Sequence, residues 1–370
     1  MGPQSNGDVR SFVLLIRVLK LVVGHRGERV VVRLAKGIGI LSVLWIFSSL
    51  VSVTMGPVDI PISRVLSIIL SPIIALGSEY SDIEDLIVTQ LRLPRILVGG
   101  LVGMALGTAG ATMQGLFRNP LVDPGIVGIS AGGALGAVLC IALGLTGLFP
   151  IALPVFAFIG ALAAGFLVYG IATIGGRLSM VTFLLAGIAI STFIGAIVST
   201  IIVLLPNNQA LRGILFWLAG GLDSRSWEHV NLAAPMILIG VGFLLVFSRD
   251  LNLLMLGDDD AGSLGVRVGI LRPLIIVAAC LVTGVAVAVS GTIAFVGLVV
   301  PHVLRLIFGS DHRILLPLSA IGGALFLVVS DTIARTIVSP AEIRVGIITA
   351  LVGAPFFVFL LVRNKTPASF

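Results

Sequence analysis

Apolar runs of about twenty residues, separated by short polar breaks, extend over almost the whole chain. A helix needs ~20 apolar residues to cross the hydrocarbon core of a bilayer. The runs therefore predict ten membrane-spanning helices. These are expected at residues 37–56, 93–115, 124–145, 150–171, 180–205, 231–248, 270–289, 291–308, 314–333 and 342–362.

Two segments do not fit this series of spans. Residues 57–90 form a long loop, and its apolar stretch Val65–Leu76 predicts a helix that lies along the membrane surface. Residues 206–230 contain an apolar run that is too short to cross. Trp217 and Trp227 in that segment suit the membrane–water interface, where tryptophan is enriched.

Composition supports the membrane interpretation. The 370 residues are 58% hydrophobic and only 11% charged, and the mean hydropathy of +1.19 lies far above the range of soluble domains. The 45 glycines favour close helix packing. They argue against a β-barrel, whose strands alternate polar and apolar residues. The predicted fold class is an all-α polytopic membrane protein.

The basic residues predict the orientation of the spans. With ten spans, sixteen Lys and Arg fall on one side of the membrane and seven on the other. Because cytoplasmic loops carry the excess of positive charge, both termini are expected in the cytoplasm. The net charge of +6 is explained by these flanking residues, so no nucleic-acid partner is predicted.

The chain divides into three parts on this pattern. Residues 1–36 hold seven Lys or Arg between short apolar runs, which indicates a basic segment in the cytoplasm or on the membrane face. Residues 37–363 form the ten-helix membrane domain, and residues 364–370 form a cytoplasmic tail.

Little in the spans indicates chemistry. Ionisable residues at membrane depth usually mark ion pathways, but here they fall almost entirely at the ends of the runs. No nucleotide-binding loop is found, four scattered histidines lack ligand spacing, and both cysteines lie in apolar runs. No catalytic residue, metal site or bound cofactor is predicted. Uphill transport would need energy from a partner chain.

Several motifs, in order along the chain, carry a resemblance to one family. They are LRLPR (Leu91–Arg95), QGLFRNPLVDP (Gln114–Pro124), GISAGG (Gly128–Gly133), GDDDAGSLGV (Gly257–Val266), SGTIAFVGLVVPHVLRLIFGSDHR (Ser290–Arg313), SDTIAR (Ser330–Arg335) and EIRVGIITALVGAPFF (Glu342–Phe357). From about residue 40 to 363 the chain resembles the FecCD family, permeases of binding-protein-dependent ABC importers for iron-siderophores, haem and cobalamin.

The resemblance implies a type II ABC importer permease in the cytoplasmic (inner) membrane of a prokaryote. Its cargo would be an iron-siderophore complex, with haem or cobalamin as alternatives. The implied partners are two ATPase subunits, which hold ATP and Mg, one extracytoplasmic binding protein, and a second permease copy or a paralogue. The chain itself would be a transport subunit and no enzyme.

One block resembles the loop that couples such permeases to the ATPase. It comprises Gly257, Asp258, Asp259, Asp260, Ala261, Gly262, Ser263, Leu264 and Gly265. Its small residues would let another protein's backbone approach, and its acids suggest a basic rim on the ATPase. Without the resemblance, an ordinary solvated acidic loop would be the simpler interpretation.

Three arginines resemble the family's docking site for the binding protein: Arg92, Arg95 and Arg335. Rim charges of this kind steer docking more than they add affinity. The alternative is positive charge that reaches the lipid headgroups.

The span beginning at Met180 resembles a helix that lines the translocation path. Ser179, Met180 and Val181 are expected near the inner gate. Candidate lining hydroxyls are Ser191, Thr192, Ser199 and Thr200. Hydroxyls at this spacing could equally bond neighbouring helices.

Two further polar sites favour structural roles. Gln114, Arg118, Asn119 and Pro120 form a polar turn that needs internal hydrogen bonds at membrane depth. His302, after Pro301, is a structural histidine rather than a haem ligand on this interpretation.

Arg344 stands where the family usually has proline. Proline is preset for the start of a helix, but arginine is tolerated there. The substitution adds a positive charge to the outer face, where it would be available to the binding protein.

Two rival functions are weaker. A carrier driven by an ion gradient would be expected to place an acid near the membrane midplane, and none is evident in the pattern. A sensory or assembly protein would need neither the coupling loop nor the outer arginines.

Overall fold

The computed structural model describes residues 6–71, 79–174 and 178–363. Within these ranges the chain is helical and contains no β-strand. Its helices are α1 (Asn6–Thr54), α2 (Ile62–Leu70), α3 (Asp82–Leu86), α4 (Leu93–Leu116), α5 (Ile129–Ala142), α6 (Ala152–Ala172), α7 (Met180–Leu204), α8 (Asn208–Leu218), α9 (Trp227–Val246), α10 (Ser248–Leu254), α11 (Asp258–Ser263), α12 (Val268–Ser290), α13 (Val296–Phe308), α14 (His312–Thr336) and α15 (Val345–Arg363).

Each predicted span corresponds to one apolar helix. Seven helical stretches are long and apolar enough to cross a membrane; one is the second half of α1, and the others contain α4, α6, α7, α9, α12 and α14. Three shorter apolar helices, α5, α13 and α15, complete the set. The predicted all-α polytopic fold is confirmed.

Two spans begin later than the apolar pattern predicts. Before α5, Pro124–Val127 form a 3₁₀ turn, and Gly128 follows with a left-handed φ of 89°. Before α13, Gly291 and Phe295 have φ of 71° and 69°. Backbone of this kind interrupts a right-handed helix, although the side chains remain apolar. The pattern therefore could not locate these breaks.

The segments outside the spans also differ in detail from expectation. α2 buries Val65 and Ile68, as a surface helix should, but residues 72–76 of the predicted stretch lie outside the described part of the chain. Trp217 is buried within the protein. The Trp227 indole Nε1 donates to the Thr89 carbonyl at 2.9 Å.

α1 is one helix from Asn6 to Thr54, so no break marks the expected boundary between residues 36 and 37. Its stretch Val30–Thr54 is long and apolar enough to span the membrane.

α4 lies at the centre of the bundle and packs on α9, α12, α13 and α14. Its crossing with α14 is very close. A Cβ added at Gly103 would lie 2.1 Å from the Gly323 carbonyl oxygen, and one at Gly107 would lie 2.2 Å from that of Ser319. α5 and α6 cross in the same way at Gly132. At each of these contacts the backbones of the two helices touch because at least one of the facing residues is glycine.

Candidate functional site

The coupling-loop block forms α11 and its flanks, at the end of the bundle where α4 terminates. Gly257 precedes the helix with a φ of 140°, a conformation that glycine adopts without strain. Ala261 is fully buried and joins the main core. We call this end of the molecule the α11 end.

Asp258 holds α11 to two other helices. Its carboxylate accepts hydrogen bonds from Arg272 at 2.6 and 2.7 Å and from Arg118 at 2.8 Å. The bonds from Arg272 contribute most to lowering the pKa of Asp258 below its usual value, so the carboxylate is charged at neutral pH. Arg272 lies in the second turn of α12, and Arg118 follows α4. We call these three residues the Asp258 clamp.

The Asp258 clamp corrects one part of the expectation for the loop. Asp258 is committed to contacts within the chain rather than to a basic rim on a partner. Asp259 and Asp260 are exposed, and a Cβ at Gly262 would meet open space. Leu264 is 59% exposed. These residues form the outward face of α11.

The polar turn after α4 is bonded throughout. Arg118, with a φ of 49°, also donates from Nε to the Leu254 carbonyl at 3.0 Å. Gln114 donates to the Gly297 carbonyl at 3.1 Å and accepts from Arg305 at 2.8 Å. These bonds satisfy the need for internal partners that the sequence predicted.

The three expected docking arginines lie at the opposite end of α4, which we call the arginine end. The structure does not present Arg92 and Arg335 as exposed rim charges. Arg92 donates to the Val53, Thr54 and Val58 carbonyls. Arg335 donates to the Ser52 carbonyl at 2.9 Å and to the Ser52 hydroxyl at 2.5 Å. Both guanidiniums are buried because they cap the end of α1.

Arg95 is also paired within the chain. Its Nε and one terminal nitrogen each lie 2.9 Å from Asp331, and the other terminal nitrogen lies 2.8 Å from Glu342. The carboxylates hold the guanidinium in place from α14 and from the segment before α15.

A cavity of about 720 Å³ opens at the arginine end. Arg92, Arg95 and Arg335 line it, together with Arg225, which the sequence reasoning missed. No ion pair holds Arg225 among the described residues; it contacts His229 at 3.1 Å. Burial, and then the nearby Arg95 charge, lower the pKa of Arg225 to about 10. A single arginine in a short loop gave no signal in the sequence.

Arg344 does not face outward freely, contrary to expectation. It forms an ion pair with Asp223, and its guanidinium lies 4.3 Å from the centre of the Phe216 ring. These contacts tie the start of α15 to α8 and to the segment after it. The charge is therefore used within the chain.

The predicted path residues separate into two groups on α7. Ser179 caps the helix by accepting from the Thr182 amide, Met180 packs on the core, and Val181 is exposed. Ser191 and Thr192, at mid-helix, line a cleft of about 570 Å³. Ser199 and Thr200 are exposed farther along α7 and do not line that cleft.

His302 is buried in α13, and its ring lies edge-on to Phe356 with centroids 5.9 Å apart. No group of three or more His, Cys, Asp or Glu among the described residues could hold a metal ion.

Comparison with known proteins decides the family. The sequence model of the FecCD transport family matches residues 43–363. The chain belongs to the FecCD transport family. The match covers the last twelve residues of α1 and the other nine apolar helices.

Relatives within the FecCD family carry names of transport systems. The chain is 46% identical to the cobalamin import system permease protein BtuC of Halobacterium salinarum, over 76% of this chain and 74% of that protein. It is 43% identical to the hemin transport system permease protein HmuU of Yersinia pestis, over 76% and 84%. It is 41% identical to the Fe(3+)-citrate import system permease protein YfmD of Bacillus subtilis, over 76% and 83%.

A solved structure of a metal-chelate type ABC transporter, described as inward-facing, superposes with a TM-score of 0.76. The two chains are 31% identical, and the match covers 89% of this chain and 99% of the other. The protein is therefore a multi-pass membrane permease of an ABC importer, with the fold of that metal-chelate type transporter.

Proposed function

We propose that this permease carries an iron-siderophore complex across the cytoplasmic membrane, driven by ATP that separate subunits hydrolyse. Relatives named for ferric citrate, hemin and cobalamin support a metal-bearing organic molecule as cargo. Cobalamin is the second candidate, because the relative named for it is 46% identical.

The Asp258 clamp is the observation that carries the proposal of ATP-driven coupling. A protein that moves α11 also pulls on Arg118, at the end of α4, and on Arg272, in α12. Because α4 is in backbone contact with α14, the displacement is passed on to the centre of the bundle. A solvated loop would need no such attachment.

The two ends of the molecule then have different partners. Two ATPase subunits would bind at the α11 end, which is cytoplasmic together with both termini. The extracytoplasmic binding protein would bind at the arginine end, where its carboxylates could compete with Glu342 for Arg95 or reach Arg225. A second permease copy would face α7, and the path would run between the copies.

Uptake into vesicles tests the function. The permease, its ATPase and its binding protein are reconstituted, and ferrichrome, haemin and cyanocobalamin are compared as cargo. Uptake that requires ATP, stops with vanadate and survives an uncoupler is expected, with ferrichrome carried fastest. Uptake that an uncoupler abolishes and vanadate does not affect would establish an ion-driven carrier instead.

A further inference from the structure

The segment between α4 and α5 returns to the middle of the bundle. Pro124 packs on Gly297, whose added Cβ would lie 2.8 Å from the proline Cδ and 2.9 Å from the Leu106 carbonyl oxygen. Leu106 lies near the midpoint of α4. Because α4 runs the length of the bundle, the segment that contains Pro124 lies at about half its depth.

Other contacts give the same depth for the cleft beside this segment. Ser191 and Thr192, near the midpoint of α7, form one wall. Phe357, close to the middle of α15, contributes to another wall. Asp123, immediately before Pro124, lines this cleft as well. An ionisable side chain therefore faces a cleft near the membrane midplane.

Asp123 has little to bond with inside the chain. Its Oδ1 accepts from the Gly125 amide at 2.8 Å. In the part of the chain that the structure describes, no Lys, Arg or His side chain pairs with it. A carboxylate at this depth is costly without a partner, and such residues usually have a function.

Two threonine hydroxyls at the cleft offer acceptors, because their protons are already used within the chain. Thr192 donates its proton to the Ile188 carbonyl at 2.9 Å, and Thr292 donates to that of Leu218. Both oxygens keep free lone pairs for a ligand. The remaining lining includes the apolar side chains of Leu298 and Phe357. The cleft thus offers a carboxylate and hydroxyl oxygens on an apolar wall.

We propose that Asp123, with Thr192 and Thr292, forms an acceptor subsite at the middle of the translocation path. It would hold hydrogen-bond donors of the cargo in transit, such as amide N–H, hydroxyl or ammonium groups, and would disfavour polyanions. The proposal rests on the proposed function, because the cleft must be part of the path. The sequence placed Asp123 at the end of a span, so it was not counted as a midplane acid.

Charge-selective thiol labelling tests the subsite. Ser191→Cys is placed in the full-length chain with Cys140 and Cys280 replaced by alanine, in membrane vesicles. The cationic reagent MTSET should react faster than the anionic reagent MTSES, by about threefold to tenfold more than with a free thiol. Asp123→Asn should remove this preference. Asparagine can still accept from the Gly125 amide, so the turn is preserved.

Val203→Cys provides the control, because Val203 is exposed on the same helix three turns away and does not line the cleft. Its reaction rates should not respond to Asp123→Asn. Equal rates of the two reagents at Ser191→Cys, or no reaction there with either, would overturn the proposal.

Uptake separates this proposal from the proposed function. Asp123→Asn should lower the uptake of cyanocobalamin, which is rich in amide groups, relative to that of anionic ferric citrate by severalfold. If wild-type uptake proves independent of ATP, the proposed function fails whatever the labelling shows. An unchanged ratio of uptake rates overturns the subsite alone.

Discussion

Arg92 and Arg335 donate to the last carbonyls of α1, groups that a helix leaves without internal partners. From the sequence, an arginine beside a span suggests docking or contact with lipid. Its actual partners come from α1, which precedes Arg335 by about 280 residues. The contacts within the chain therefore assign these arginines a structural role, the capping of α1, whether or not they also take part in docking.

Arg335→Met should therefore lower stability as well as docking. Removing the guanidinium leaves the Ser52 carbonyl without its donor, which costs about 1–3 kcal/mol. Thermal unfolding of the purified permease in detergent measures the effect. Arg212→Met is the matched control, since Arg212 is exposed on α8. Equal melting temperatures for the two variants would contradict the capping role.

Asp258→Asn should weaken the Asp258 clamp. Because the carboxylate is half exposed, the loss of stability should be only about 0.5–1 kcal/mol, whereas ATP-driven uptake should fall more strongly. Asp259→Asn, on the exposed face of α11, is the control. Similar uptake by both variants would count against the clamp as the coupling element.

The pH dependence of the stability that the Asp258 clamp provides follows from the direction in which the pKa of Asp258 is shifted. The pKa of Asp258 is lower in the folded chain than its ordinary value of 3.8. The stabilisation is then fully present well above that value and is lost as the pH falls through the folded-state pKa. The difference in melting temperature between wild type and Asp258→Asn should stay constant from neutral pH to about pH 5. A difference that disappears within this range would refute the pairing.

At the scale of helices, glycine decides how closely elements approach. Gly103→Ala places a Cβ against the Gly323 carbonyl oxygen and should cost about 1–3 kcal/mol through overpacking. Gly242→Ala, where a Cβ meets open space, should be neutral or slightly stabilising. Melting temperatures from thermal unfolding compare the stabilities of the two variants. Equal melting temperatures would mean that the α4–α14 crossing adapts freely.

A bulky residue on α11 should leave the fold of the permease intact but should weaken binding of the ATPase. A Cβ at Gly262 meets no atom of the chain, so Gly262→Trp should preserve the fold. Complex formation with the ATPase should nevertheless fall at least tenfold. Gly269→Trp, in the first turn of α12 and equally open, is the control for bulk. Normal ATPase binding by Gly262→Trp would exclude α11 as the docking site.

At the scale of the whole molecule, the apolar windows of α1 and α7 have the least cover, and only 6% of the α1 window is buried within the described chain. Of the apolar window of α7, 28% of residues are buried within the chain, against 83% for the window that contains α4. Exposed small and hydroxyl residues, Ala196 and Ser199 among them, suit contact with another helix. A second copy of the 38.4 kDa chain is the partner expected there.

If a second copy binds at α7 as proposed, Ala196→Trp should convert the dimer to a monomer without unfolding the chain. Light scattering on the purified protein, corrected for detergent, measures the mass. Gly170→Trp, on the exposed side of α6, should leave the dimer intact. A dimer that survives Ala196→Trp would place the contact on another face.

The sequence predicted the ten helices because each needs only a run of apolar residues, which the order of apolar and polar residues along the chain reveals. It could not predict the Asp258 clamp, because Arg118 and Asp258 are separated by 140 residues. The sequence also could not predict the depth of Asp123 in the membrane, because hydropathy does not show where α5 begins. A short α5 that starts after a left-handed glycine looks like a full span when only hydropathy is considered.

The glycine contacts between α4 and α14 have a genetic consequence. Every missense change in a glycine codon introduces a residue with a Cβ, so no missense change at Gly103 or Gly323 is conservative. We expect a saturation mutagenesis library selected for uptake to be depleted of all replacements at these two codons. Gly242, by contrast, should accept many. The map of tolerated alleles would then trace the line along which the two helices touch.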